Sequence, residues 1–318
     1  AGGACRAGNI YNLLQRVLYR MAEQGQLEYA QIPVISLNLM GEEKHTGFRI
    51  TPSLLSGGIA AGCYGDLIMC LYQQVKPYEQ NPGETDRIRS QVEKKLCESI
   101  RRHRNGRHTR EKNYRYACEV FSKVPVKPGK KKRVGITGEI YMKYSKLGND
   151  DIESFLLRQG MEPYSGGFVN YCLYLVDTER YKAEKYQHNP IMAKACAFVL
   201  HRLCEAQKHL LTVIGETDRF QTDLPFPELK EKVQGILAEG CNTGDCWLIA
   251  AEVIQYVEKG CGSVLILHPF GCLVSHVCER GILQRLHARF PDVSIQTIEY
   301  DYDQSKTLRE SRILLAIS

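Results

Sequence analysis

Apolar and polar positions along the chain follow two rhythms. In residues 8–24, Ile10, Leu13, Leu14, Val17, Leu18 and Met21 recur at the spacing of one helix face. IPVISLN at 32–38 then reads as a buried strand. Residues 52–76 are apolar at most positions and predict a helix, eased by Gly57, Gly58 and Gly62. PYEQNPGE breaks the pattern, and an amphipathic helix follows from 84 to about 122, interrupted at Gly106. Beyond it, VPVKPGKKK at 124–132 combines two prolines, a glycine and a charge run, the best domain boundary in the chain.

After this boundary strands and helices alternate. RVGITG predicts a strand, and NDDIESFLLRQG a helix with Asn149 as its cap and Asp150 and Asp151 as helix-start charges. Two or three helices fill 168–211. PFPELKEKVQGILAEG and CWLIAAEVIQYVEKG are two more, each ended by glycine. SVLILHPFGC is a strand, SHVCERGILQRLHARF a helix, VSIQTIEYD a strand and DQSKTLRESRILLAI a last helix. This order predicts an α/β fold with parallel sheets flanked by helices. The expected division is an incomplete α/β lobe with a long connecting helix at 1–123, and an α/β lobe at 124–318.

Composition is that of an ordinary globular chain, 43% hydrophobic and 25% charged. The longest apolar stretches run to about eight residues, short of the roughly 20 a membrane helix needs. No signal segment opens the chain. It begins AGGACRAGN without an initiator Met, so a fragment or a subunit cut from a longer polypeptide is expected. The 13 cysteines are an odd number, and Cys63, Cys70, Cys118, Cys172, Cys196 and Cys204 lie in helix-like stretches where a thiol acts as a small hydrophobe. A reducing cytoplasm is the expected setting. Net charge is +6, yet 99–133 holds 13 Lys/Arg against two acidic residues. A solvated connector is the expected reading of that segment. A contact surface for an acidic or phosphate-bearing partner is the alternative, and specific nucleic-acid binding is not expected.

Candidate chemistry sits where parallel sheets bind ligands, at the carboxyl ends of strands. Three turns qualify: ITGEIYMKYS, HPFGC and EYDYD. Cys272 directly follows a strand, and the positive end of the next helix would lower its thiol pKa, which favours a metal–thiolate bond. CLVSHVC and CNTGDC match no standard zinc or ferredoxin spacing. His268 and His276 are candidates to cap backbone or orient a ligand, Cys278 to pack inside the helix, and Glu139 to serve as a turn residue or ligand contact. Phosphate-cradling glycine loops and GxSxG are absent.

Several stretches in order resemble the 2-hydroxyacyl-CoA dehydratase/benzoyl-CoA reductase superfamily, nearest the C-terminal part of acyl-CoA dehydratase activase-related proteins. They are GGACRAGNIYNLL with PVISLN, GDLIMCLYQQVKPYE with NPGETD, and RVGITGEIYMKYSKLGNDDIESFLLRQGMEP. The helix around 247–252 and VLILHPFGCLVSH with IEYDYDQS complete the set. The resemblance implies two Rossmann-like lobes holding a [4Fe–4S] or double-cubane iron–sulfur cluster, three cysteines binding a cubane. It implies a low-potential electron delivered by an actin-fold ATPase activase, an acyl-CoA substrate, and a homo- or heterodimer. The activity implied is that of a dehydratase-like lyase or an ATP-dependent reductase component. The alternative is a non-catalytic docking lobe without its own cluster. Carried over by position, Cys272 matches the last cluster cysteine of the family, and Cys5 and His276 match a cysteine and a histidine of the activase-related group.

Overall fold

A computed structural model describes residues 7–25, 27–32, 34 and 51–318. The chain divides into two compact units, 1–52 and 53–318. In the first, helix α1 (Ala7–Glu23) packs with a short 3-10 turn at Leu27–Gln31. Of the strand expected at 32–38 only residues 32 and 34 are described, and the candidate ligand Cys5 lies outside the described residues.

The second unit is built on one four-stranded parallel sheet, the only sheet among the described residues. Its strands are β1 (Arg133–Gly138), β2 (Glu162–Tyr164), β3 (Cys261–Pro269) and β4 (Ser294–Tyr300), in the order β2-β1-β3-β4. All neighbours pair in parallel, so every carboxyl end lies on one side. The run VLIL in β3 is buried throughout, as a strand covered on both faces must be. Val134, Ile136, Leu265, Leu267 and Ile298 face one core, which α6 (Ile152–Arg158) and α12 (Lys306–Ile317) complete. Val264, Ile266 and Ile295 face the larger core, beneath α10 (Cys246–Glu258) and α11 (Arg280–Arg289). α10 lies close on β1: a Cβ on Gly135 would stand 2.7 Å from the Tyr256 ring.

The larger core extends into helices before and after the sheet's first strands. Helices α2 (Pro52–Val75), α3 (Glu84–Arg101) and α4 (Arg107–Ser122) precede β1. Between β2 and β3 come α7 (Phe168–Lys185), α8 (Pro190–Gly215) and α9 (Phe226–Glu231). Leu67, Leu71, Val92, Tyr114, Phe121, Leu210 and Trp247 belong to this single cluster. The boundary expected at 124 therefore falls inside the second unit. Gly106 separates α3 from α4 as anticipated. The stretch Pro52–Tyr78 is long and apolar enough to cross a membrane by length and composition, although no strictly apolar run in it is. Its buried side nonetheless carries Asp66 and Gln73. The basic segment meets carboxylates beyond its own ends: Arg102 with Glu98 at 2.5 Å, Arg115 with Glu216 at 2.6 Å and Arg133 with Glu162 at 2.7 Å.

Candidate functional site

The strand order changes direction between β1 and β3. The chain leaves β1 for β2 on one side and later returns beside β1 as β3, then β4. Such a reversal opens a crevice outside the carboxyl ends of the two central strands. On the β1 side, Gly138 has φ +129°, and a Cβ there would stand 2.0 Å from the Leu267 carbonyl oxygen. The Glu139 backbone N–H donates to that same oxygen at 2.8 Å. Glu139 then caps α5 (Ile140–Tyr144), accepting from the N–H groups of Tyr141 and Met142, both at 3.1 Å. Its carboxylate is engaged as a turn residue, one of the two roles its position allowed.

Two more buried acids stand close to Glu139. Asp245 accepts from the Ile140 N–H at 3.1 Å. Burial, and then the Glu139 charge, pushes its carboxyl up to about 7. Glu279 is 1% exposed, and burial, with Asp245 and Glu139 adding, pushes it up to about 8. Above β1, Glu252 accepts from Lys143 Nζ at 2.7 Å and from the Thr137 hydroxyl at 2.5 Å, all three groups buried.

The β3–α11 connection carries the residues singled out in the sequence. After Pro269 the backbone turns, and the His276 N–H donates to the Cys272 carbonyl at 3.0 Å. Ser275–Glu279 is then one π-helical turn, closed by the Arg280 N–H donating to the Ser275 carbonyl. A π turn fits one extra residue into the circuit and re-aims its side chains, a device that recurs at functional sites. Cys278 on this turn forms a disulfide with Cys246, the first residue of α10, with Cα atoms 5.5 Å apart. This corrects the reading of Cys278 as a packing residue: the wider π turn carries its thiol across to α10. Cys272 is free and partly exposed. Cys63, Cys118 and Cys204 sit among helices, and burial pushes each thiol up to about 11, as expected of small hydrophobes.

His268, His276 and Glu299 meet at the far side of the connection. Register pairs His268 on β3 with Glu299 on β4, so both lie on the face that α11 covers. His276 comes back over them from the π turn. Its Nε2 stands 3.2 Å from Glu299 Oε2, and its Nδ1 stands 2.8 Å from the Cys272 carbonyl oxygen. His268 is fully buried, its ring centroid 5.3 Å from that of His276. Burial holds the His268 pKa below the usual imidazole range. Glu299 was missed in the sequence although the turn that holds it was marked. Only the pairing of β3 with β4 reveals its partner.

A second buried polar group lies at the carboxyl end of β2. Asp66 of α2 accepts from the first N–H groups of α7, those of Phe168 at 2.7 Å and Val169 at 2.9 Å. Burial still pushes its carboxyl up to about 7. Asp223 accepts from the Tyr164 hydroxyl, and burial raises its pKa too. Both acids line a cavity of about 20 Å³, the size of one water.

No three cysteines come together among the described residues: Cys246 and Cys278 hold each other, and Cys272 stands free. By themselves these residues do not fit a three-thiolate cluster. No protein-family model, curated protein or solved structure matches the chain.

Proposed function

We propose that the chain is an α/β component of an ATP-driven, low-potential electron-transfer system of the 2-hydroxyacyl-CoA dehydratase or double-cubane reductase kind. The observation that carries this reading is the free, partly exposed Cys272 just past the carboxyl end of β3, one of the two strands that flank the crevice. That is where an open parallel sheet receives its ligand. The ordered set of family-like stretches supplies the chemistry. In this reading Cys272 contributes one thiolate to an iron–sulfur cluster whose remaining ligands are still to be found, in this chain or in another. The second Rossmann-like lobe, the acyl-CoA substrate, the dimer and the activase partner belong to the same proposal. The test is iron and acid-labile sulfide on the anaerobically purified natural polypeptide. Iron with equimolar sulfide, lost in Cys272→Ser, is the expected result. Absence of both sinks the reading.

A second reading, a docking lobe without its own cluster, is favoured by one observation. The Cys246–Cys278 disulfide withdraws two of the fold's thiols from metal binding. Here the chain is expected to co-purify with its actin-fold ATPase in one nucleotide state while containing no iron. No association in either state counts against it.

A further inference from the structure

We propose that His268, His276 and Glu299 form a binding site for a single divalent transition-metal ion, distinct from any thiolate cluster. One donor atom from each lies within 4.8 Å of the other two. Glu299 Oε2 is 3.2 Å from His276 Nε2 and 3.9 Å from His268 Nδ1. Donors about 2.1 Å from a common metal are spaced roughly 3.0–3.5 Å apart. The three groups are therefore near coordination distance, and a small contraction closes the set.

The hydrogen-bond inventory explains why a cation belongs there. A backbone carbonyl only accepts, so His276 Nδ1, at 2.8 Å from the Cys272 oxygen, carries the ring hydrogen. Nε2 of the neutral ring is then a bare lone pair facing a carboxylate oxygen 3.2 Å away. Two acceptors at that distance repel unless a cation stands between them. A proton answers this for one ring, but a second imidazole faces the same carboxylate. His268 is fully buried, and its Nε2 has no hydrogen-bond partner. Its Nδ1 lies 3.9 Å from Glu299 Oε2 and 3.4 Å from the carbonyl of its neighbour Pro269. Both are beyond the usual range of about 2.7–3.2 Å for a hydrogen bond, so the carbonyl contact does not fix the ring hydrogen on Nδ1. One metal ion takes the lone pairs of both rings and the carboxylate charge together.

The protein also supplies the outer support such a site needs. The Cys272 carbonyl fixes the tautomer and orientation of His276, as outer-shell acceptors do for metal-bound imidazoles. Strand pairing fixes His268 against Glu299. His276 is 33% exposed, so one side of the site opens to solvent and leaves coordination positions for water or a ligand. Two imidazoles and one carboxylate suit Zn2+ or Fe2+ rather than Mg2+, Ca2+ or Cu+. Arg280, 3.5 Å from Glu299 and half exposed, lies at the solvent side of the same carboxylate.

The test is an anaerobic Co2+ titration of the full chain after chelator treatment, read by visible absorption. One Co2+ per chain is expected, with d–d bands and no thiolate-to-cobalt charge-transfer band. His276→Ala and Glu299→Gln, both at partly exposed positions, are expected to weaken binding more than about a hundredfold, beyond the 10–100-fold that outer-shell changes cost. Cys272→Ser is expected to bind like the parent, which separates this site from the cluster reading: either can fail alone. Three results overturn the proposal: no bound cobalt, unchanged affinity in folded His276→Ala, or a thiolate band that Cys272→Ser abolishes. Should either variant unfold, the parent spectrum alone decides.

Discussion

Gly138 is constrained twice, by its positive φ and by the Leu267 carbonyl it touches. Gly138→Ala is expected to cost about 3 kcal/mol or more, since left-handed strain and a backbone clash add. A chemical-denaturation midpoint lowered at unchanged slope checks it. Lys143 and Glu252 present a different balance. Lys143→Met leaves a carboxylate buried without its cation and is expected to cost about 3–5 kcal/mol. Adding Glu252→Gln is expected to recover much of that loss, and a double-mutant cycle measures the recovery. The Cys246–Cys278 disulfide closes a loop with a sequence separation of 32. In the chain-entropy account that is worth about 3–4 kcal/mol. Cys278→Ser, or reductant on the parent, is expected to lower the Tm by several degrees. Equal melting with and without reductant shows the pair to be open.

Among the elements, those with a long periodic signal were legible: α1, α2, β1, β3, β4 and α12 all stand where apolar spacing put them. Those held by tertiary contacts were not. β2 is three residues, Glu-Pro-Tyr, with no room for a period and a proline inside it. It exists because Glu162 accepts from Arg133 at 2.9 Å and from the Tyr78 hydroxyl at 2.7 Å. α9 ends at Glu231, well short of the glycine that marked its expected stop. The π turn uses residues that an ordinary helix would also accept, so spacing alone gives no sign of it. That turn decides the site: it brings His276 to Glu299 and Cys278 to Cys246. The metal-ligand expectation for Cys272 could be drawn from the sequence because it needs only a strand end. The partnership of His268 with Glu299 was hidden because periodicity tells which face a strand residue takes, not what stands opposite.

For the whole molecule, buried acids contribute a pH dependence of one sign. Asp66 and Asp245 are pushed up to about 7 and Glu279 to about 8, all by burial first. A carboxyl raised on folding favours the fold while protonated, and that contribution fades as pH climbs from its ordinary value near 4 through the raised one. These groups are therefore expected to lower the Tm steadily from about pH 4 to pH 8, with Asp66→Asn flattening the slope. A Tm that rises over this range contradicts the assignment. α2 has a further consequence, one of timing. The cap it offers through Asp66 serves residues 102 positions later in the chain. A ribosome adds roughly 5–20 residues per second, so this apolar helix waits on the order of 5–20 s before the partner that completes its burial exists. During synthesis α2 stays incompletely buried for that time, and a chain stopped before α7 is expected to aggregate through it.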